Sequence, residues 1–119
     1  MPGKRPVSGE GLLFPLEKDS AKANAFSMGI TVGRTENNDI VLEDNSVSRF
    51  HAYFQQDSNQ GWKLFDADSS LGTWVGPLKL VPKRPHPLPE MARLRFGNLE
   101  LFYFMPDRFF EYLQGHLRP

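Results

Sequence analysis

Cysteine is absent from the 119 residues, which excludes a disulfide framework, a thiolate metal site and a cysteine nucleophile together. Net charge is absent as well, because 14 Lys+Arg balance 14 Asp+Glu. Proteins that seek nucleic acid or an anionic membrane with their whole surface carry an excess of Lys and Arg, so an anion bound by this chain is met locally. Long hydrophobic runs are missing too. The stretches from Leu12 to Leu16 and from Leu99 to Met105 fall far short of the roughly 20 apolar residues of a spanning helix, and no basic-then-apolar leader opens the chain. These absences predict a soluble, cytoplasmic protein with neither a nucleic-acid nor a membrane partner. His51, His86 and His116 show no ligand spacing, so no metal site and no cofactor is expected.

What the chain does contain is alternation. Residues 1–10 hold one large aliphatic, Val7, and read as a flexible tail. Beyond them, short apolar runs of period two are separated by turn residues, which predicts an antiparallel β protein. Phe26, Met28, Ile30 and Val32 share one face of a strand that stops at Gly33-Arg34. Ile40-Val41-Leu42 forms a short strand after the polar loop TENND. In VSRFHAYFQQ, Phe50, Ala52 and Phe54 are expected on one face, with Arg49, His51 and Tyr53 on the other. WKLFDA, TWV and LKL follow, and MARLRF and LELFYF read as a hairpin closed by Gly97-Asn98. About nine strands in a hundred residues is the density of a sandwich or barrel.

One segment reads as helical. PDRFFEYLQG places Phe109, Tyr112 and Leu113 at i, i+3, i+4, with Asp107 near its start and Gly115 past its end. It is expected to pack on the domain as an amphipathic helix within residues 106–119. Residues 77–89 hold five of the ten prolines and read as a stiffened loop. Charge is uneven despite its zero sum: Glu36 to Asp68 carries seven acids and two bases, whereas Lys79 to Arg95 carries five bases and one acid. The early carboxylates, residues 36–44, are candidates for selecting basic residues in a ligand. The later bases lack a matched aromatic platform, which argues against single-stranded nucleic acid.

Three loop-edge clusters follow one another: Gly33-Arg34, then Ser48-Arg49 with His51, then Ser69-Ser70-Leu71-Gly72-Thr73. Arg offers a planar fork to an oxyanion, Ser a hydroxyl, and glycine-containing loops their backbone N–H groups. The order Gly-Arg, Asn-Asp-Ile, Ser-Arg-x-His and a later Gly-Thr resembles the forkhead-associated (FHA) domain, closely over residues 33–75 and more loosely over 11–105. The resemblance implies an all-β, antiparallel FHA-like β-sandwich of about eleven strands. It also implies a threonine-phosphorylated protein or peptide as partner, a Ser/Thr kinase or its substrate.

Carried over residue by residue, the resemblance makes Arg34 and Ser48 phosphate ligands, Arg49 a contact to phosphate or peptide, and Ser70 a hydroxyl lining the phosphothreonine site. Gly33, His51 and Gly72 would shape the loops. One position departs from the family pattern. Leu71 stands where the family usually has an Asn that holds the peptide main chain, and leucine can neither donate nor accept. That loss typically costs ~1–3 kcal/mol, about tenfold to hundredfold in affinity. Two readings therefore stand: a phosphothreonine-dependent adaptor, or a degenerate FHA fold serving as a phosphate-independent scaffold. A hydrolase using Ser48 or Ser70 is disfavoured, since Ser48 and His51, three apart on a strand, would project to opposite faces. No catalytic residue is expected.

Overall fold

The structure, a computed structural model, describes residues 29–58 and 61–105. The expected tail at 1–10, the Phe26–Met28 end of the first strand and the expected C-terminal helix at 106–119 lie outside the described residues. Within them the chain forms nine strands and no helix: β1 (Ile30–Gly33), β2 (Ile40–Val41), β3 (Ala52–Gln56), β4 (Trp62–Asp66), β5 (Thr73–Val75), β6 (Leu78–Lys79), β7 (His86–Pro87), β8 (Met91–Phe96) and β9 (Leu99–Phe104). Nine agrees with the number read from the alternation; the figure of about eleven, which the resemblance implies, is not reached among the described residues.

Two sheets share one core. The first has the order β2-β1-β3-β4-β7 and the second β6-β5-β8-β9. Ile30, Val32, Ala52, Phe54 and Leu64 from the first sheet meet Leu94, Phe96 and Tyr103 from the second, with Leu42, Val47 and Leu80 closing the edges. Period-two alternation puts these side chains on the inner faces, and it holds best along β8, where Leu94 and Phe96 are buried while Met91 and Arg93 are exposed. Gly97-Asn98 does close the β8–β9 hairpin, with Gly97 at φ 61°, a conformation that glycine adopts without penalty. A Cβ there would run into the Ser46 carbonyl, so the same glycine also admits the turn at residues 44–47.

Four details differ from expectation. First, β1 and β2 pair in parallel, in the register Val32↔Ile40 and Gly33↔Val41, although every other pairing among the described residues is antiparallel. Parallel neighbours usually need a long crossover. Here the short loop between them is stapled by the buried Asp39, whose carboxylate accepts from the Thr31 amide at 2.8 Å while its own amide donates to Thr31 Oγ1 at 2.9 Å. The same staple explains the second difference: all four residues of β1 are buried, Thr31 included. Third, the strand expected from Val47 to Gln56 begins only at Ala52. Phe50 is therefore 42% exposed rather than beside Ala52 and Phe54, and it stacks outside on Tyr53, which stacks in turn on Phe65. Fourth, the proline-rich loop contains β7, whose His86 and Pro87 extend the first sheet by pairing with Leu64 and Lys63.

Candidate functional site

The end of β1, the start of β3 and the connection from β4 to β5 meet at one end of the sheets, and all three clusters singled out in the sequence lie there. Gly33 ends β1 and Arg34 turns away from it, its amide donating to the Ser48 carbonyl at 2.9 Å. Gly33 is required sterically, since a Cβ would collide with the Arg49 carbonyl and with the Asn38 side chain. Asn38, buried, holds the contact shut: its Nδ2 donates to the Arg49 carbonyl at 2.7 Å and to the Thr35 carbonyl at 3.0 Å. Thr35 Oγ1 also reaches the Arg49 carbonyl, at 3.2 Å. The Arg34 loop and the Ser48-Arg49 loop are thus locked together through backbone atoms, and the Arg49 side chain is left exposed.

His51 joins this pair of loops to the third. It is completely buried, and its Nδ1 accepts from the Ser48 amide at 3.0 Å. That acceptor role fixes the tautomer, so Nε2 carries the proton and donates to the Gly72 carbonyl at 2.9 Å. Burial pushes the imidazole pKa below its ordinary value, against smaller opposing effects from the Gly72 hydrogen bond and the Asp66 charge. The ring meets Phe96 edge-on at 5.7 Å, which fixes its plane against the core.

Asp66, the last residue of β4, organises the third loop from below. Its carboxylate is buried and accepts from Ser69 Oγ and Thr73 Oγ1, both at 2.6 Å, and from the Ser69 amide at 3.1 Å. Ser69 Oγ then accepts from the Gly72 amide at 2.9 Å, with Gly72 at φ 100°. Held this way, the loop presents the Ser70 amide to Ser48 Oγ at 2.9 Å. Because Ser48 Oγ accepts there, its own O–H remains a donor.

The structure therefore brings together Gly33, Arg34, Ser48, Ser70, His51 and Gly72, with Arg49 and Leu71 at the rim; Leu71 is 48% exposed. Ser48 and His51 do touch, contrary to the expectation from strand geometry, because Ser48 precedes β3. The contact runs through the Ser48 amide rather than its hydroxyl, so no Ser–His dyad forms. Thr35 and Asp66 do not figure in the sequence reading of the site, and Asn38, Ser69 and Thr73 figure there only as members of motifs, without the bracing roles that the structure gives them. Asp66 did carry a signal, an acid two residues beyond Leu64 on the inward side of an apolar strand.

Two of the early carboxylates are otherwise occupied: Asp39 staples β1, and Asp44 is held below the usual carboxylate range by its hydrogen bonds from the Ser46 hydroxyl and amide. Among the described residues no group of His, Asp and Glu is placed to hold a metal ion, and no helix is long and apolar enough to cross a membrane.

One atom of the site is anomalous. Arg34 Nε is buried and has no hydrogen-bond partner, a state that buried donors rarely occupy. The backbone of the same residue is fixed to the Ser48 loop, while this side-chain donor stays unpaired.

The FHA domain family model matches residues 30–97, from the first residue of β1 to the turn of the last hairpin. This chain belongs to the FHA domain family. Solved FHA structures share its fold. EmbR of Mycobacterium tuberculosis, determined in complex with a low-affinity phosphopeptide, is 28% identical over 65% of this chain and 20% of its own, with a TM-score of 0.56. The present chain thus spans about a fifth of that one. The FHA domain of an Arabidopsis thaliana hypothetical protein is 29% identical over 65% of this chain and 69% of that one, with a TM-score of 0.57. A structure from work on phosphothreonine-dependent FHA domain interactions matches 86% of this chain and 94% of its own at a TM-score of 0.61; at 24% identity that likeness is one of fold. No curated protein matches the sequence.

Proposed function

We propose that this FHA domain is a phosphothreonine-dependent interaction module, an adaptor in kinase signalling whose partner is a threonine-phosphorylated Ser/Thr kinase or substrate. The observation that carries the reading is the buried, unpaired Nε of Arg34, a residue whose amide is bonded to the Ser48 loop. A phosphate of ≈ −1.5 to −2 charges is the acceptor suited to a guanidinium that the protein leaves incompletely paired. Arg34 supplies the charged fork, the Ser48 hydroxyl a second donor, and Ser70 a hydroxyl on the facing loop. Arg49, exposed at the rim, meets the phosphate or the peptide, and Leu71 lies along the peptide path. Gly33, His51 and Gly72 keep the loops in place without touching ligand.

No catalytic step is assigned, because the base-like His51 spends both ring nitrogens on backbone groups. The test is a calorimetric titration with a phosphothreonine peptide and its unphosphorylated twin. Binding of the first alone, abolished by Arg34→Ala, is expected, since truncating one partner of a desolvated charge pair costs about 2–5 kcal/mol. Equal binding of both peptides overturns the proposal.

The exposure of Leu71 favours a second reading, a degenerate site in a phosphate-independent scaffold. An unphosphorylated partner whose binding survives Arg34→Ala distinguishes it.

A further inference from the structure

The outer face of the second sheet is unlike an ordinary solvated face. Cross-strand register puts Lys79, Trp74 and Arg95 in one row, Arg93 and Phe102 in the next, and Met91 and Phe104 in a third. Two cations lie against the Trp74 ring, Arg95 at 3.8 Å and Lys79 at 5.3 Å from its centroid, while Arg93 lies over Phe102 at 5.3 Å. An aromatic platform is therefore matched to these bases after all, but each cation already has its ring. What remains open is the apolar end of the face. Met91 is 50% exposed and Phe102 63% exposed, and with Ala92, Arg93 and Phe104 they line a groove of about 230 Å³. Solvated sheet faces seldom group a Met and Phe side chains in this way.

We infer that residues 106–119 of the same chain dock in this groove. The described chain leaves the sheet at its mouth: Phe104 pairs with Met91, and the Met105 amide donates to the Glu90 carbonyl at 2.8 Å, which fixes the point of exit. From there Phe109 is four residues away, a reach of up to about 13–14 Å even if extended. The segment PDRFFEYLQG carries Phe109, Tyr112 and Leu113 at the spacing of one helical stripe, with Asp107 and Glu111 on the opposite side. Seated on Met91 and Phe102, that stripe is buried and the acids face water. A free partner molecule would have to overcome the entropy of association, whereas the tethered segment is present at a high effective concentration. The groove lies on a sheet face, apart from the loops that hold Arg34, and the inference is independent of the proposed function.

The absence of cysteine makes the test direct. In the full chain, Arg93→Cys or Met91→Cys carries a nitroxide as the only thiol adduct, and Glu36→Cys, in the Arg34 loop, serves as the control. Amide signals of residues 109–113 are expected to lose most of their intensity with the label at 93 or 91 and to keep it with the label at 36. Retained intensity in both groove-labelled proteins overturns the inference. A second experiment mixes labelled chains with separate isotope-enriched chains; intensity is expected to be retained there, and signal loss that persists in the mixture assigns the groove to another copy and overturns the inference equally.

Discussion

Ser48 Oγ accepts the amide hydrogen of Ser70 at 2.9 Å, across 22 residues of sequence. This one bond joins the second loop, whose Ser48 carbonyl also accepts from the Arg34 amide, to the third. It makes Ser48 both a brace and a ligand, and the two roles respond differently to substitution. Ser48→Ala removes a hydrogen bond to an exposed residue, where water replaces the lost acceptor, so stability is expected to fall by no more than about 0.5–1.5 kcal/mol. Phosphopeptide affinity is expected to fall further, because the hydroxyl is lost as donor and the Ser70 loop loses its tether. Urea melts and calorimetry on the same variant separate the effects. Parallel losses of equal size would show that Ser48 is a brace only.

His51 gives the fold a pH dependence whose sign follows from its burial. The folded pKa lies below the unfolded value near 6.5. The unfolded chain therefore binds a proton that the folded one refuses, and the contribution of neutral His51 is complete above pH 6.5 and is lost as pH falls through the lower folded pKa. The slope from one such group reaches at most about 1.4 kcal/mol per pH unit. Urea unfolding between pH 7.5 and 5.5, paired with ¹⁵N NMR of the ring, is the check. Nδ1 is expected to stay unprotonated below pH 6.5, still accepting from the Ser48 amide, and a ring that titrates at its ordinary value would remove the effect.

Tyr103 poses the opposite problem, a group that the core holds without satisfying. Its hydroxyl is buried with no partner, and burial pushes its pKa up to about 12. Leaving a buried polar group unsatisfied costs ~1–3 kcal/mol, so Tyr103→Phe is expected to stabilise the domain, by about 1 kcal/mol once relaxation is allowed for. The ring stacks on Phe54 with centroids 6.4 Å apart, and phenylalanine keeps that contact. A stability loss on substitution, measured by denaturant unfolding, would show that the hydroxyl has a partner in solution.

Gly33 tests whether the loop clamp matters for binding. A methyl group at this position meets the Arg49 carbonyl and Asn38 Nδ2, the two ends of the bond that locks the first loops. Gly33→Ala therefore cannot be accommodated by a rotamer change; the backbone at Arg49 must move. Overpacking of this kind typically costs 1–3 kcal/mol, roughly, in stability. A matching fall in phosphopeptide affinity is expected, since Arg34 N and Ser48 O share the same junction. Unchanged affinity in a destabilised but folded variant would separate the clamp from the site.

Much of this arrangement was legible in the residues. Gly97-Asn98 marks a hairpin by its backbone chemistry, and the order of Gly33-Arg34, Ser48-Arg49 and Ser70-Gly72 puts phosphate-type donors at successive strand ends. Alternation failed at Phe50 because counting apolar residues assumes that the strand continues as far as the pattern. Here the chain is diverted at Ser48 and Arg49, whose carbonyls are taken by the Arg34 amide and by Asn38. The parallel β1–β2 pair was illegible for a related reason: a two-residue strand has no period, and its direction is set by the Asp39 staple on Thr31. Asp66 shows the limit most clearly. Its inward register beyond Leu64 marks it as unusual, but the partners that satisfy it, Ser69 and Thr73, come from a loop whose path the residue pattern does not fix.

Leu71 is the position where sequence and structure together make the sharpest prediction. It is 48% exposed at the loop apex, flanked by Ser70, whose amide is bonded to Ser48, and by Gly72, whose carbonyl is bonded to His51. The backbone on both sides is therefore already fixed, and the side chain contributes little to the core. Leu71→Asn is expected to leave stability within about 0.5 kcal/mol. If the ligand is a peptide whose main chain passes this apex, the new amide supplies the pairing that leucine cannot, worth ~1–3 kcal/mol or about tenfold to hundredfold in affinity. A degenerate phosphothreonine peptide library screened against both proteins, followed by calorimetry on the selected peptides, gives the comparison. A gain confined to phosphorylated peptides identifies a functional but weakened site, whereas silence from both proteins favours the phosphate-independent scaffold.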